Sequence, residues 1–140
     1  MAYKFIPHTA DIKIHVEAPT IEKAFTDSAL ALQESILGQK LKIKQTKEKL
    51  IKIKGHDLER LLYEFMEEFI YLIETKNFIL SKVNKIEIEN RNGKIELNAT
   101  ISGDNSENYK FSNNVKAITY NDMLIKQNKS KTTIEFVIDV

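Results

Sequence analysis

The sequence contains no cysteine and no tryptophan, and only two prolines and four glycines among 140 residues. Without cysteine there is no disulfide, no thiolate metal site and no thiol nucleophile; a reducing compartment is compatible, and the cytoplasm is the expected location. The four glycines stand apart at Gly38, Gly55, Gly93 and Gly103. None lies in a glycine-rich loop that cradles phosphate, which argues against the common nucleotide-binding enzymes. Nucleophile-elbow and helical zinc motifs are missing too, and the three histidines, His8, His15 and His56, are widely separated. Neither sign of charge prevails: 21 Lys and Arg oppose 20 Asp and Glu, for a net charge of +1. No global field therefore draws the chain to nucleic acid or an anionic membrane, and any RNA contact has to be local or indirect. No apolar run is long enough to span a bilayer, and Met1 to Pro7 lack the basic-then-apolar order of a signal peptide.

What is present is a globular composition, 42% hydrophobic and 29% charged, in a length that suits one domain over residues 1–140. Ile12, Ile14 and Val16 alternate with Lys13, His15 and Glu17, the period-two pattern of a half-buried strand. After Ala18-Pro19, Thr20 is a candidate cap for a helix in which Ile21, Phe25, Ala29, Leu32 and Ile36 recur at helical spacing, with Gly38 as its stop. The Leu/Ile/Lys mixture from Leu41 to Gly55 predicts one or two strands. Asp57 then caps a second helix ending near Lys76, whose stripe Leu58, Leu61, Leu62, Phe65, Met66, Phe69 and Ile70 is assigned to the core.

Phe78 and Leu80 suggest a further strand, and Asn92-Gly93 joins Ile86/Ile88 to Ile95/Leu97/Ala99/Ile101 as a hairpin. Gly103 to Asn108 reads as a polar loop, followed by strands over Val115–Gln127 and Thr132–Val140. Runs of strands interrupted by two helices predict an α+β fold, with both helices on one face of a mainly antiparallel sheet.

Three segments are candidates for chemistry. Pro7-His8-Thr9-Ala10-Asp11 gathers an imidazole, a hydroxyl and a carboxylate just before a strand. Such residues also serve simply to satisfy backbone N–H groups in turns. At the other end Ile134, Phe136 and Ile138 alternate away from Glu135, Val137 and Asp139, so Asp139 can face a ligand. If the sheet brings Asp11 beside Asp139, two carboxylates require a proton or a hard cation between them. The alternative is a frayed, solvated terminus. Seven lysines between Lys40 and Lys54 form the third candidate. With no interleaved aromatic for base stacking, they read better as edge-protecting residues than as an RNA site.

Taken together, His8-Thr9-Ala10-Asp11, Leu61-Leu62, Lys116-Ala117-Ile118-Thr119-Tyr120 and the closing Ile138-Asp139-Val140 resemble the archease family, in order and spacing, over residues 3 to 140. Ala18-Pro19 stands where that family often has Gly, and Asn121 where His is common. The resemblance implies an accessory protein, not itself an enzyme, for an RtcB-type tRNA-splicing ligase that joins RNA ends with GTP and Mn²⁺. It implies promotion of guanylylation of that ligase, contact with tRNA only through the ligase, and a fold containing a strand-helix-strand-strand module. It also implies a Ca²⁺ site on Asp11, Asp139 and the terminal Val140, with Lys116 and His8 contacting phosphate or the ligase; oxygen ligands alone would equally accept Mg²⁺ or Mn²⁺. Rival readings are a general protein-binding or chaperone-like module that works without metal, and a small metal-dependent hydrolase, for which no nucleophile or base is in evidence.

Overall fold

The computed structural model describes residues 3–8, 11–111 and 117–139, with the backbone alone at residues 7 and 8. Its elements are β1 (Tyr3–His8), β2 (Asp11–Ala18), α1 (Ile21–Leu37), β3 (Lys47–Gly55), α2 (Leu58–Lys76), β4 (Phe78–Arg91), β5 (Lys94–Asn105), a 3-10 turn (Ser106–Asn108), β6 (Ala117–Gln127) and β7 (Thr132–Asp139). The α+β class and the antiparallel pairing agree with the sequence pattern. The β3-α2-β4-β5 stretch is a strand-helix-strand-strand unit.

The helix ends follow from local chemistry. Thr20 accepts a hydrogen bond from the Lys23 N–H at 3.1 Å, and Gly38 closes α1 at φ 78. Asp57 accepts from the Arg60 N–H at 2.7 Å, and Asn77 closes α2 in the left-handed conformation. These contacts satisfy amide and carbonyl groups that a helix leaves unpaired at its ends. Between the caps, Leu61, Leu62, Phe65 and Met66 of α2 are fully buried, along with Phe25 and Leu32 of α1. Each such side chain contributes roughly 1.5–3 kcal/mol relative to exposure, so the core stripes dominate helix docking. The Phe25 and Phe65 rings stack at 5.9 Å and join the helices directly.

The strands form two sheets rather than one, in the orders β1-β2-β7-β6 and β3-β5-β4. Both helices touch both sheets. α1 lies against β2, β7 and β4, whereas α2 lies against β6, β3, β4 and β5. This doubled contact accounts for stripes too wide for one sheet: α1 buries Ala24, Phe25, Ala29, Ala31, Leu32 and Ile36. Asn92 and Gly93 both have positive φ, 53 and 80, the geometry of a two-residue turn whose twist matches the flanking strands.

Two local expectations change, and one narrows. β1 is a strand that the N-terminal pattern did not reveal, and Pro7 lies within it, tolerated because β1 is an edge strand. Between Leu41 and Gly55 there is one strand, β3. The preceding segment is irregular, anchored by the Lys44 N–H donating to Tyr109 Oη at 3.0 Å and the Thr46 N–H to the Gly103 carbonyl at 2.8 Å. The supposed polar loop 103–108 is largely strand and 3-10 turn, with Ser102, Asp104 and Ser106 buried. Asp104 makes that burial tolerable. Its carboxylate accepts from Thr46 Oγ1 at 2.5 Å, Tyr109 Oη at 2.8 Å and the Asn105 N–H at 2.8 Å, and these donors hold its pKa at about 2.

Candidate functional site

The four-stranded sheet has a row of register partners at one end: His8 of β1 opposes Asp11 of β2, Asp11 opposes Asp139 of β7, and Asp139 opposes Ala117 of β6. Directly opposed residues in an antiparallel pair share a face, with Cβ atoms about 4.5–5.5 Å apart. The inward residues Ile14, Val16, Ile134, Phe136 and Ile138 are buried, so alternation turns Asp11 and Asp139 to the outer face. Asp11 is half-buried and Asp139 exposed. The two carboxylates expected to meet are thus neighbours. Two charges of one sign at about 4 Å repel by about 1 kcal/mol in a water-like medium and by more where water is partly excluded.

Val140, Lys116 and the side chain of His8 lie outside the described residues. Their chain neighbours nevertheless belong to the same row, since Ala117 follows Lys116 and Asp139 precedes Val140. Among the described residues no group of three or more His, Asp or Glu side chains forms a metal-binding cluster. The donor set at Asp11 and Asp139 consists of oxygen alone, which suits a hard cation.

Further along the same outer face is a charge network that sequence reasoning missed. His15 Nδ1 is 2.7 Å from Glu135 Oε2 and its Nε2 is 2.8 Å from Glu17 Oε2. Lys13 Nζ is 3.6 Å from Glu135 and Lys131 Nζ is 3.0 Å from Glu17. With a carboxylate at each ring nitrogen, only the imidazolium can donate on both sides. Hydrogen bonding to Glu17, and then to Glu135, accordingly raises the His15 pKa against the opposing effect of burial, while Glu17 falls to about 2. Alternation already placed Lys13, His15 and Glu17 on one face; the partners on β7 required the fold.

The Lys-Ala-Ile-Thr-Tyr segment enters β6, whose register against β7 breaks between Thr119 and Leu124. That irregularity carries Tyr120 out of the ladder and onto α2. There its ring stacks on Tyr63 at 4.4 Å, nearly parallel, and its hydroxyl accepts from Arg60 at 3.4 Å. Bulges of this kind re-aim a side chain. The basic stretch divides otherwise: Lys42 and Lys44 lie on the irregular segment, and Lys52 lies on edge strand β3, all exposed.

Residues 3–140 match the model of the Archease protein family (MTH1598/TM1083). The chain belongs to the archease family. It is 39% identical to protein archease of Pyrococcus furiosus over 122 residues, which span 86% of this chain and 84% of that one. The archease fold is also visible in the solution structure of Methanobacterium thermoautotrophicum protein 1598, with a TM-score of 0.84, 24% identity and 99% of both chains covered. The crystal structure of an archease from Thermotoga maritima, described as a possible chaperone, aligns with a TM-score of 0.60 at 19% identity, covering 98% of this chain and 96% of that one. At those identities the two structures speak to the fold alone. Among the described residues of this archease no helix is long and apolar enough to cross a membrane.

Proposed function

We propose that this archease acts as an accessory protein of an RtcB-type tRNA-splicing ligase, promoting guanylylation of the ligase with GTP and so supporting repeated RNA joining. The observation carrying this reading is the Asp11–Asp139 register pair, in a chain of the archease family. Asp11 and Asp139 would hold a hard cation, Ca²⁺ in the first instance with Mg²⁺ or Mn²⁺ as alternatives, and a main-chain oxygen of Val140 would complete the oxygen set. A cation bound there would be shared by oxygens of both carboxylates.

The residues of the chain present and orient this tip. β2 and β7 hold Asp11 and Asp139 as register partners, and Ala117 is the partner of Asp139 on its other side. Lys116 and His8 are the proposed contacts to phosphate or to the ligase. Charge placed around a nucleotide and its attacking group is the main leverage a partner has over phosphoryl transfer. Bond making belongs to the ligase; the archease acts on it as an activator, and tRNA is met only through it.

Single-turnover guanylylation of the cognate ligase, with GTP and Mn²⁺, tests the reading. Acceleration by the wild-type chain, lost in Asp11→Ala and Asp139→Ala variants that remain folded, is expected. Acceleration undiminished in both variants would remove the tip from the mechanism and leave protein docking alone. That second reading, a protein-binding or chaperone-like module working without metal, predicts ligase binding insensitive to chelator.

A further inference from the structure

β3 and β6 are outer strands of their respective sheets, and among the described residues no strand pairs with their open edges. Between the β3 edge and the flank of α2 lies a cleft of about 640 Å³, with Ala117 of β6 at its wall. One side is formed by three consecutive β3 residues, Lys52 to Lys54. The other side is α2, contributing Glu64, Glu67, Glu68 and Glu74, with Tyr71 among them. Tyr71 is 49% exposed although its ring is large, and Glu64 is tied to Arg60 at 3.1 Å beside the Tyr63–Tyr120 stack.

Three properties of this cleft select an occupant. An open strand edge offers N–H and C=O groups to an extended segment. Carboxylates around an exposed tyrosine ring form an environment for lysine or arginine, through charge-assisted hydrogen bonds and attraction of the cation to the ring face. From Glu64 to Glu74 the helix advances about 15 Å, the length of roughly four to five extended residues. Lys52 and Lys54 on the rim disfavour pairing with a second β3 edge, because like charges would meet.

We propose that this cleft binds an extended, lysine- or arginine-bearing segment of the partner protein, laid along the β3 edge with its cations toward Glu68, Glu74 and Tyr71. Ala117, at the cleft wall, is the register partner of Asp139, so the bound segment passes close to the carboxylate tip. The cleft supplies a docking site separate from the two carboxylates. The proposal rests on the function proposed above, because the partner whose segment docks here is the ligase.

The test is guanylylation of the cognate ligase as a function of the concentration of this chain, comparing wild type with a Glu68→Lys/Glu74→Lys double variant whose folding is checked by circular dichroism. The expected result is a half-maximal concentration at least tenfold higher for the variant, with the same maximal acceleration at saturation. A photoreactive side chain at Tyr71 should crosslink the ligase at a segment containing lysine or arginine. If wild type accelerates the ligase and the double variant has the same half-maximal concentration, the cleft is not the docking site while the activator function stands. If wild type neither binds nor accelerates the ligase, both proposals fall. Tighter binding of tRNA by the double variant, with ligase docking unchanged, would identify the cleft as facing an anion and overturn the proposal.

Discussion

Asp11 on β2 and Asp139 on β7 oppose each other directly, so two carboxylates from opposite ends of the chain share one face of the four-stranded sheet. Their mutual repulsion is the term a cation would relieve. The wild-type chain is therefore expected to melt several degrees higher in millimolar CaCl₂ than in chelator, since a ligand at about 100 times its Kd stabilises by about 2.7 kcal/mol. Asp139→Asn should abolish the shift. A calcium shift of unchanged size in Asp139→Asn would place the ion elsewhere.

The His15 network has a definite pH signature. Because Glu17 and Glu135 raise the His15 pKa, its contribution to stability is fully present below the ordinary value of 6.5 and is lost as pH rises through the higher folded value. Denaturant titrations of wild type and His15→Gln should differ most near pH 6 and converge at alkaline pH. A difference independent of pH across that interval would mean that His15 acts through packing alone. Lys13, on the same face, should shift the profile when replaced by Gln, because it shares Glu135.

Asp104 responds at the acid end. Its pKa lies at about 2 against an ordinary 3.8, chiefly through Thr46 and Tyr109. That stability is present above the ordinary value and lost as pH falls toward the folded one. Asp104→Asn should be destabilised at pH 7 and approach wild type near pH 2. Thr46→Val should reproduce part of the loss, since it removes the hydroxyl that bonds Asp104.

Gly103 is required for a steric reason. A Cβ there would collide with the Ile79 carbonyl oxygen and lie 2.6 Å from the Phe78 ring, where β4 crosses β5 beside a register shift. Gly103→Ala should cost about 3 kcal/mol, the upper part of the range for overpacking, read as a lower urea midpoint. Gly93→Ala meets no neighbour within 4 Å but must keep a φ of +80, so a smaller loss of about 1 kcal/mol is expected.

The elements that local chemistry specifies were legible in the chain itself. Thr20 and Asp57 cap helices where a side-chain oxygen can reach an amide three residues on, and Asn92-Gly93 turns because both residues tolerate positive φ. β1 was hidden because Pro7 reads as a turn residue, and only its edge position makes it acceptable in a strand. Asp104 and Ser106 looked like loop residues because their partners, Thr46 and Asn77 among them, come from other parts of the chain.

By itself the sequence determined the caps, the hairpin, the helical stripes and the alternation that turns Asp11, His15 and Asp139 outward, because each depends on residues within a few positions of one another. It also determined family membership, through the order of its motifs over residues 3–140. The tertiary structure alone decided that the strands divide into two sheets, that Asp11 meets Asp139, and that His15 lies between Glu17 and Glu135. Alternation tells which face a residue takes but leaves open which strand lies beside it. That choice belongs to the packing of both sheets around α1 and α2, where burial of the shared core sets strand order and register together.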